Sequence, residues 1–193
     1  MAAPRAVILT GDRSAGKSTL CLALAALSPR YVGLVSPPLC DGTGTRVGFA
    51  ARCLATGEEW VLGRSDAELD GPRFGRFSFS SAGIARAVEC LRGVLALSTI
   101  AGEKEEGGAG SHRHADPRSV VVVDEIGPLE LEHGDGLAPV LPLLEAAGHL
   151  LLVVRPPLIS RIEELVPKHE RSVIVVTPTN RTSLPAAIDG RFD

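Results

Sequence analysis

The chain has 193 residues, a formal net charge of −3, 45% hydrophobic and only 4% aromatic content, which suits one domain with an aliphatic core of Val, Leu and Ala. Mild acidity leaves no basic footprint for nucleic acid, and no segment approaches the ~18 consecutive apolar residues of a membrane span. Cys21, Cys40, Cys53 and Cys90 form no C-x-x-C pair and read as buried thiols, and no signal-peptide run follows Met1-Ala2-Ala3-Pro4-Arg5, so a soluble cytoplasmic protein is expected.

Residues 6–9, Ala-Val-Ile-Leu, predict a first strand, and Gly11-Asp12-Arg13-Ser14-Ala15-Gly16-Lys17-Ser18 follows it directly. The octapeptide meets every fixed position of the phosphate-binding pattern G-x-x-x-x-G-K-S/T. A helix is predicted behind it over Lys17–Leu27, with Leu20, Leu24 and Leu27 at i, i+4, i+7. Backbone N–H groups of such a loop wrap phosphate oxygens, the helix N-terminus adds a positive pole, and Lys17 brings a point charge. A nucleoside triphosphate is the expected ligand. Gly11, Asp12, Arg13, Ser14, Ala15, Gly16, Lys17, Ser18 and Thr19 are its expected binding residues, with the Ser18 hydroxyl offered to Mg²⁺.

Residues 31–79 change character. Short candidate strands at 31–35, 46–54, 59–62 and 73–79 are parted by turn signals such as Asp41-Gly42-Thr43-Gly44 and Thr56-Gly57, and predict an antiparallel β-meander extending the sheet. Ile84, Val88, Leu91 and Leu95 form one stripe of a helix over 83–97. Residues 101–119 are polar, glycine-rich and aperiodic, predicting a mobile surface loop whose His112 and His114 lack a third ligand for a metal. The continuous apolar runs 120–123, 150–154 and 173–176 are the mark of strands buried on both faces of a central parallel sheet. Strands alternating with helices give an α/β layered fold in a single domain, 1–193.

Val120-Val121-Val122-Val123 ends in Asp124-Glu125, as a Walker B strand ends. Asp124 is expected to hold Mg²⁺ together with Ser18, through water, while Glu125 orients or deprotonates an attacking water. Lys17 and Glu125 are thus expected catalytic groups. Asn180-Arg181 follows the last strand at the end of the sheet where nucleotides dock, so Arg181 is a candidate to stack on the base and Asn180 to order the loop.

Asp124-Glu125-Ile126-Gly127-Pro128-Leu129-Glu130-Leu131 resembles the D-E-I-G-x-M-E-L signature of the THEP-type, or cancer-related, nucleoside triphosphatases, with Leu129 in place of methionine. Val32-Gly33-Leu34, Arg46-Val47-Gly48-Phe49, Leu54-Ala55-Thr56-Gly57-Glu58, Arg73-Phe74-Gly75-Arg76-Phe77 and Val176-Thr177-Pro178-Thr179-Asn180-Arg181 are similar to further segments of that family, in its order. The resemblance covers nearly the whole chain except 101–119. It implies a RecA-like P-loop fold and slow Mg²⁺-dependent hydrolysis of several triphosphates to the diphosphate. Arg73, matching the family's R-V-G-x-Y arginine, is the first candidate for a catalytic cation on the γ-phosphate, ahead of Arg13 and Arg155.

Three departures stand out: the loop reads Asp12-Arg13-Ser14-Ala15, Arg155 ends the next strand where relatives tend to carry a small or hydroxyl residue, and Pro139 and Pro142 restrict or break the helix expected after Asp124-Glu125. ATP, GTP, CTP and UTP are the expected substrates, with no dedicated base-reading motif. Two other readings share the loop, the metal and the carboxylate: a small nucleotide or polynucleotide kinase with Arg64, Arg73 and Arg76 in a lid, and a nucleotide-gated binding protein that hydrolyses slowly as a timer. A regulatory GTPase would need N-K-x-D and an ABC-type ATPase L-S-G-G-Q, and the chain has neither.

Overall fold

The computed structural model describes residues 3–98 and 118–193; most of the predicted 101–119 loop, with His112 and His114, lies outside the described residues. The described residues form one ten-stranded sheet. Its parallel half is β1 (Arg5–Thr10), β2 (Tyr31–Val35), β8 (Val120–Ile126), β9 (His149–Val154) and β10 (Glu170–Val175), in the order β10-β1-β9-β8-β2. An antiparallel extension continues from β2 through β4 (Arg46–Cys53), β5 (Glu59–Arg64), β7 (Phe77–Phe79) and β6 (Arg73–Phe74), with β3 (Pro38–Cys40) beside β4.

This is the mostly parallel layered sheet with an antiparallel extension expected from the sequence, with one change of membership. Tyr31–Val35 is the strand that joins the two halves: it pairs antiparallel with β4, Leu34 opposite Cys53, and in parallel with β8, Val32 opposite Val121 and Leu34 opposite Val123. The expected strand 73–79 is instead a hairpin turning at Gly75-Arg76.

Period-2 alternation explains why the central strands read as unbroken apolar runs. Val121 and Val123 of β8, Ala6 and Ile8 of β1, and Leu150, Leu152 and Val154 of β9 face one layer. That layer holds α2 (Ser81–Ser98), α3 (Pro128–Leu131), a 3-10 segment (Ala138–Ala146) and α4 (Ile159–Leu165). Val120, Val122, Val7, Leu9, Leu151 and Val153 face the other, where α1 (Lys17–Leu27) and α5 (Leu184–Asp189) lie. Burying one such side chain contributes about 2 kcal/mol, so the middle of the sheet is its firmest part.

β10 departs from expectation. Among the described residues it is an edge strand paired only with β1, and no described element covers that face at the edge, so Val173 and Val175 are 44% and 57% exposed. In α1 the buried stripe is Leu20, Cys21 and Leu24, while Leu27 is exposed. Helix α2 is capped by Ser80, whose hydroxyl accepts the Gly83 N–H at 3.1 Å, and buries Val88, Leu91 and Leu95. Pro139 and Pro142 act as expected: lacking N–H donors, they leave 138–146 as a 3-10 segment rather than an α-helix.

Cys21 and Cys53 are buried, but Cys40 is exposed, contrary to expectation. Among the described residues no helix is long and apolar enough to cross a membrane.

Candidate active site

All five parallel strands end at one edge of the sheet, and each delivers a polar group there: Thr10 and the phosphate loop from β1, Ser36 from β2, Asp124 and Glu125 from β8, Arg155 from β9, and the 176–181 turn after β10. The loop between β1 and α1 needs glycine at both ends. At Gly11, φ is +130°, and a Cβ would collide with the Val176 carbonyl. At Gly16, φ is +97°, and a Cβ would stand 2.7 Å from Arg181 Cδ. Ser14, without that freedom, is also left-handed at φ 61°. Left-handed residues set between right-handed ones turn successive N–H groups inward as an anion nest, at the N-terminus of the eleven-residue α1.

Lys17 Nζ donates to the carbonyls of Gly11 (2.8 Å) and Asp12 (2.7 Å), so its ammonium spans the loop. Burial pulls its pKa down; Glu125, Asp124 and Asp12 oppose that, and Arg155 reinforces it. The cation and both acids of the expected site therefore feel one another in the fold.

Asp124 is fully buried, and its Oδ2 accepts the Ser36 N–H at 2.9 Å. Burial, then the negative Glu125, pushes its carboxyl up, against the Ser36 N–H, a hydrogen bond from Ser18 and the Lys17 charge. Its other oxygen, Oδ1, is buried without a partner among the described residues, as are Thr10 Oγ1 and Ser36 Oγ. Glu125 sits where the β8–β9 register shifts, with φ 71°, a costly conformation for a residue with a Cβ. That strain turns its carboxylate out of the strand and leaves it half-exposed.

The arginines sort differently from the sequence expectation. Arg73 lies on the edge strand β6, largely exposed, and is paired with Glu68; no contact joins it to the loop or the acids. Arg13 is exposed on the loop. Arg46 of β4 is the arginine brought to the acids: its Nη2 lies 3.9 Å from Glu125 Oε1, and its guanidinium covers the Phe49 ring at 4.4 Å. The β6–β7 hairpin reaches this corner through Arg76, which donates to the Arg46 carbonyl at 3.1 Å. Sequence reading gave Arg46 no role, since only its place in the R-x-G-F segment marked it.

After β10, Asn180 Oδ1 accepts the Thr177 N–H at 2.8 Å and Nδ2 donates to the Val175 carbonyl at 2.9 Å, so Asn180 orders this turn. Arg181 then extends over Gly16.

A sequence model of the family described as NTPase matches residues 6–188. The chain belongs to this THEP1-type nucleoside-triphosphatase family. It is 29% identical to nucleoside-triphosphatase THEP1 of Methanopyrus kandleri over 94% of this chain and 91% of that one. Its fold is similar to the crystal structure of THEP1 from Aquifex aeolicus (TM-score 0.70, 18% identity, 97% of this chain and 99% of that one). It is likewise similar to the solution structure of a human cancer-related nucleoside triphosphatase (TM-score 0.65, 23% identity, 97% and 96%).

In this nucleoside triphosphatase, the Asp124 carboxyl, which takes a hydrogen bond from Ser18 and keeps Oδ1 buried without a partner among the described residues, has the hard-oxygen chemistry that suits a small hard cation. Mg²⁺ takes few protein oxygens and keeps waters, and Ser36 Oγ, after the adjoining β2, and Thr10 Oγ1, at the end of β1 beyond β9, are buried acceptors without partners among the described residues. Ser36 and Thr10 were missed in the sequence, because an isolated hydroxyl at a strand end carries no motif.

Proposed function

We propose that this chain hydrolyses ATP, GTP, CTP and UTP to the diphosphate and inorganic phosphate in a Mg²⁺-dependent reaction, in the cytoplasm, with little preference among bases. The observation that carries this reading is the meeting of Lys17, Asp124 and Glu125 at one sheet edge, behind a nest of loop N–H groups. The loop and the α1 N-terminus bind the phosphate chain, and Lys17 exchanges its carbonyl partners for β- and γ-oxygens. Ser18 and Asp124 are the residues to hold Mg²⁺, which when bound neutralises charge shared by the β- and γ-phosphates. Glu125 is poised to take the proton of a water attacking the γ-phosphorus, with Arg46 beside it. Arg181, reaching over the loop, stacks on the base and holds its place without reading its edge.

The test is to incubate the pure protein with Mg²⁺ and each γ-labelled triphosphate, alone and with candidate acceptors. Label appearing as inorganic phosphate from all four triphosphates supports the reading. Label moving to an acceptor would replace it with a kinase.

A further inference from the structure

β9 lies between β1 and β8, so its carboxyl end opens between the phosphate loop and the Asp124-Glu125 pair. Pairing fixes the level: Val153 lies opposite Leu9, and Val154 opposite Ile126. The next residue, Arg155, is extended (φ −71°, ψ 143°) and leaves the sheet there. Its guanidinium lies by the backbone that follows Glu125-Ile126: a Cβ built on Gly127 would stand 3.7 Å from Arg155 Nε and 3.9 Å from Cζ. From there its charge acts on Lys17.

Two cations turned on one space repel, and a fold tolerates that where an anion resolves it. On the side of the acids and the antiparallel extension the other arginines are engaged: Arg46 with Glu125, Arg64 with Asp66, Arg73 with Glu68, Arg76 with the Arg46 carbonyl; Arg13 and Arg181 belong to the loop side, exposed on it and reaching over Gly16. Among the described residues the half-buried Arg155 guanidinium makes no hydrogen bond or ion pair, although it carries five N–H donors.

We propose that Arg155 is the catalytic arginine of this enzyme, binding the γ-phosphate of the triphosphate and stabilising the charge that gathers on its oxygens during hydrolysis. The proposal rests on the nucleoside-triphosphatase reading above. In the step concerned, a water oxygen bonds to the γ-phosphorus while the bond to the β,γ-bridging oxygen breaks. The electron pair leaves with the diphosphate, and the water proton passes to Glu125. Arg155 neither gives nor takes a proton; its planar fork binds two γ-oxygens more tightly as the phosphoryl group flattens, a match that a lysine point charge lacks.

The experiment compares Arg155→Ala and Arg155→Lys with the native full chain, using Mg²⁺ and ATP. It reads kcat, the affinity for ADP, and the affinity for ADP with aluminium fluoride, a planar mimic of the phosphoryl group in flight. The expected result is a loss of at least about 10²-fold in kcat for Arg155→Ala, with a parallel loss of affinity for the mimic. ADP, which has no γ-phosphate, should bind both variants within about twofold of the native chain. Arg155→Lys should recover less than about a tenth of the lost rate, and millimolar guanidinium should partly restore Arg155→Ala. A folded Arg155→Ala protein with kcat within about threefold of the native chain, or one that loses ADP and the mimic equally, overturns the proposal. Should the alanine variant fail to fold, Arg155→Lys carries the same readouts. A native chain that releases no phosphate overturns the parent reading as well, whereas an active native chain indifferent to Arg155 overturns this assignment alone.

Discussion

Arg46 Nη2 lies 3.9 Å from Glu125 Oε1, joining the antiparallel extension of the sheet to the strained carboxylate at the end of β8. Both side chains are about a third exposed, so the pair adds at most about 1 kcal/mol to stability, and its value lies in orientation. Arg46 is itself held, by stacking on Phe49 and by its Nε–H bond to the Gly48 carbonyl at 3.3 Å. Arg46→Ala should therefore lower kcat by roughly 10- to 50-fold with KM changed less than about threefold. If Arg46 acts by aiming Glu125, the Arg46→Ala/Glu125→Gln double variant should be no slower than Glu125→Gln alone. Multiplying rate losses in that cycle would mean that Arg46 touches the substrate independently.

Lys17 is the one lysine of the phosphate loop, and among the described residues its ammonium donates to backbone carbonyls, those of Gly11 and Asp12. Lys17→Ala should reduce turnover at least about 10³-fold and weaken triphosphate binding, while changing unfolding free energy by less than about 1 kcal/mol. Steady-state phosphate release and urea unfolding test the two halves. Near-native turnover by the folded variant would remove the loop from the chemistry.

The two acids should separate cleanly. Asp124→Asn keeps the size of the buried group and an acceptor for the Ser36 N–H, so the fold should persist while the Mg²⁺ concentration for half-maximal rate rises at least about tenfold. Glu125→Gln should bind nucleotide and Mg²⁺ as the native chain does, yet hydrolyse about 10²- to 10⁴-fold more slowly. Mg²⁺ titrations of rate and of nucleotide binding distinguish them, and identical profiles for the two variants would contradict the division of labour.

Much of this site was legible because its chemistry demands neighbours in sequence: a nest of N–H groups with its lysine is one contiguous octapeptide, and Asp124-Glu125 is a strand's last turn. What escaped was tertiary. Arg46 meets Glu125, and Ser36 meets Asp124, because β2 pairs with β8 on one side and β4 on the other, and nothing in the composition of residues 31–35 separates a parallel strand from a meander strand. Arg73 and Arg46 look alike in sequence, each within a short family-like segment, but β6 ends the sheet while β4 abuts its parallel half. The run 173–176 read as central because unbroken apolarity reports what a strand could bury, and among the described residues β10 has a neighbour on one side only. The prolines were readable because a missing N–H is a local fact.

Glu130 supplies a pH dependence. It is 8% exposed, and its Oε2 accepts the Gly127 N–H at 2.9 Å, closing the one-turn helix α3 that follows the acids. Burial raises its pKa from 4.5 to about 7, against the Gly127, Glu130 and Leu137 backbone N–H groups and with help from Glu125. Below pH 4.5 the carboxyl is protonated folded or unfolded; above it the unfolded chain ionises first, so stability falls as pH rises until the folded carboxyl also ionises near 7. The loss over that window is roughly 3 kcal/mol. Glu130→Gln keeps an acceptor for Gly127 and should flatten this slope, making the variant at least about 1 kcal/mol more stable than the native chain near pH 8 but not near pH 4. Urea unfolding at both pH values checks it, and a variant less stable near pH 8 would show that Glu130 is held as a satisfied carboxylate.

Arg181 sets the expected breadth of substrates. It reaches over Gly16 from a turn fixed by Asn180, so its guanidinium lies against the phosphate loop, within the reach that the proposed stacking on a base requires. A guanidinium stacks on any π-face, and an enzyme rejects an analogue strongly only when buried polar groups are left unpaired. The orphaned buried atoms of the described site, Thr10 Oγ1, Ser36 Oγ and Asp124 Oδ1, belong to residues at the carboxyl ends of β1, β2 and β8, and none of them lies on the turn that carries Arg181. kcat/KM for ATP, GTP, CTP and UTP should therefore agree within about tenfold, a spread of ~1.4 kcal/mol. Arg181→Ala should raise KM for all four by a similar factor and leave kcat nearly unchanged, because uniform binding is lost without touching the reacting atoms. A single base favoured by about a thousandfold, or an Arg181→Ala variant impaired with one nucleotide only, would require a hydrogen-bonding pocket for the base that these residues do not form.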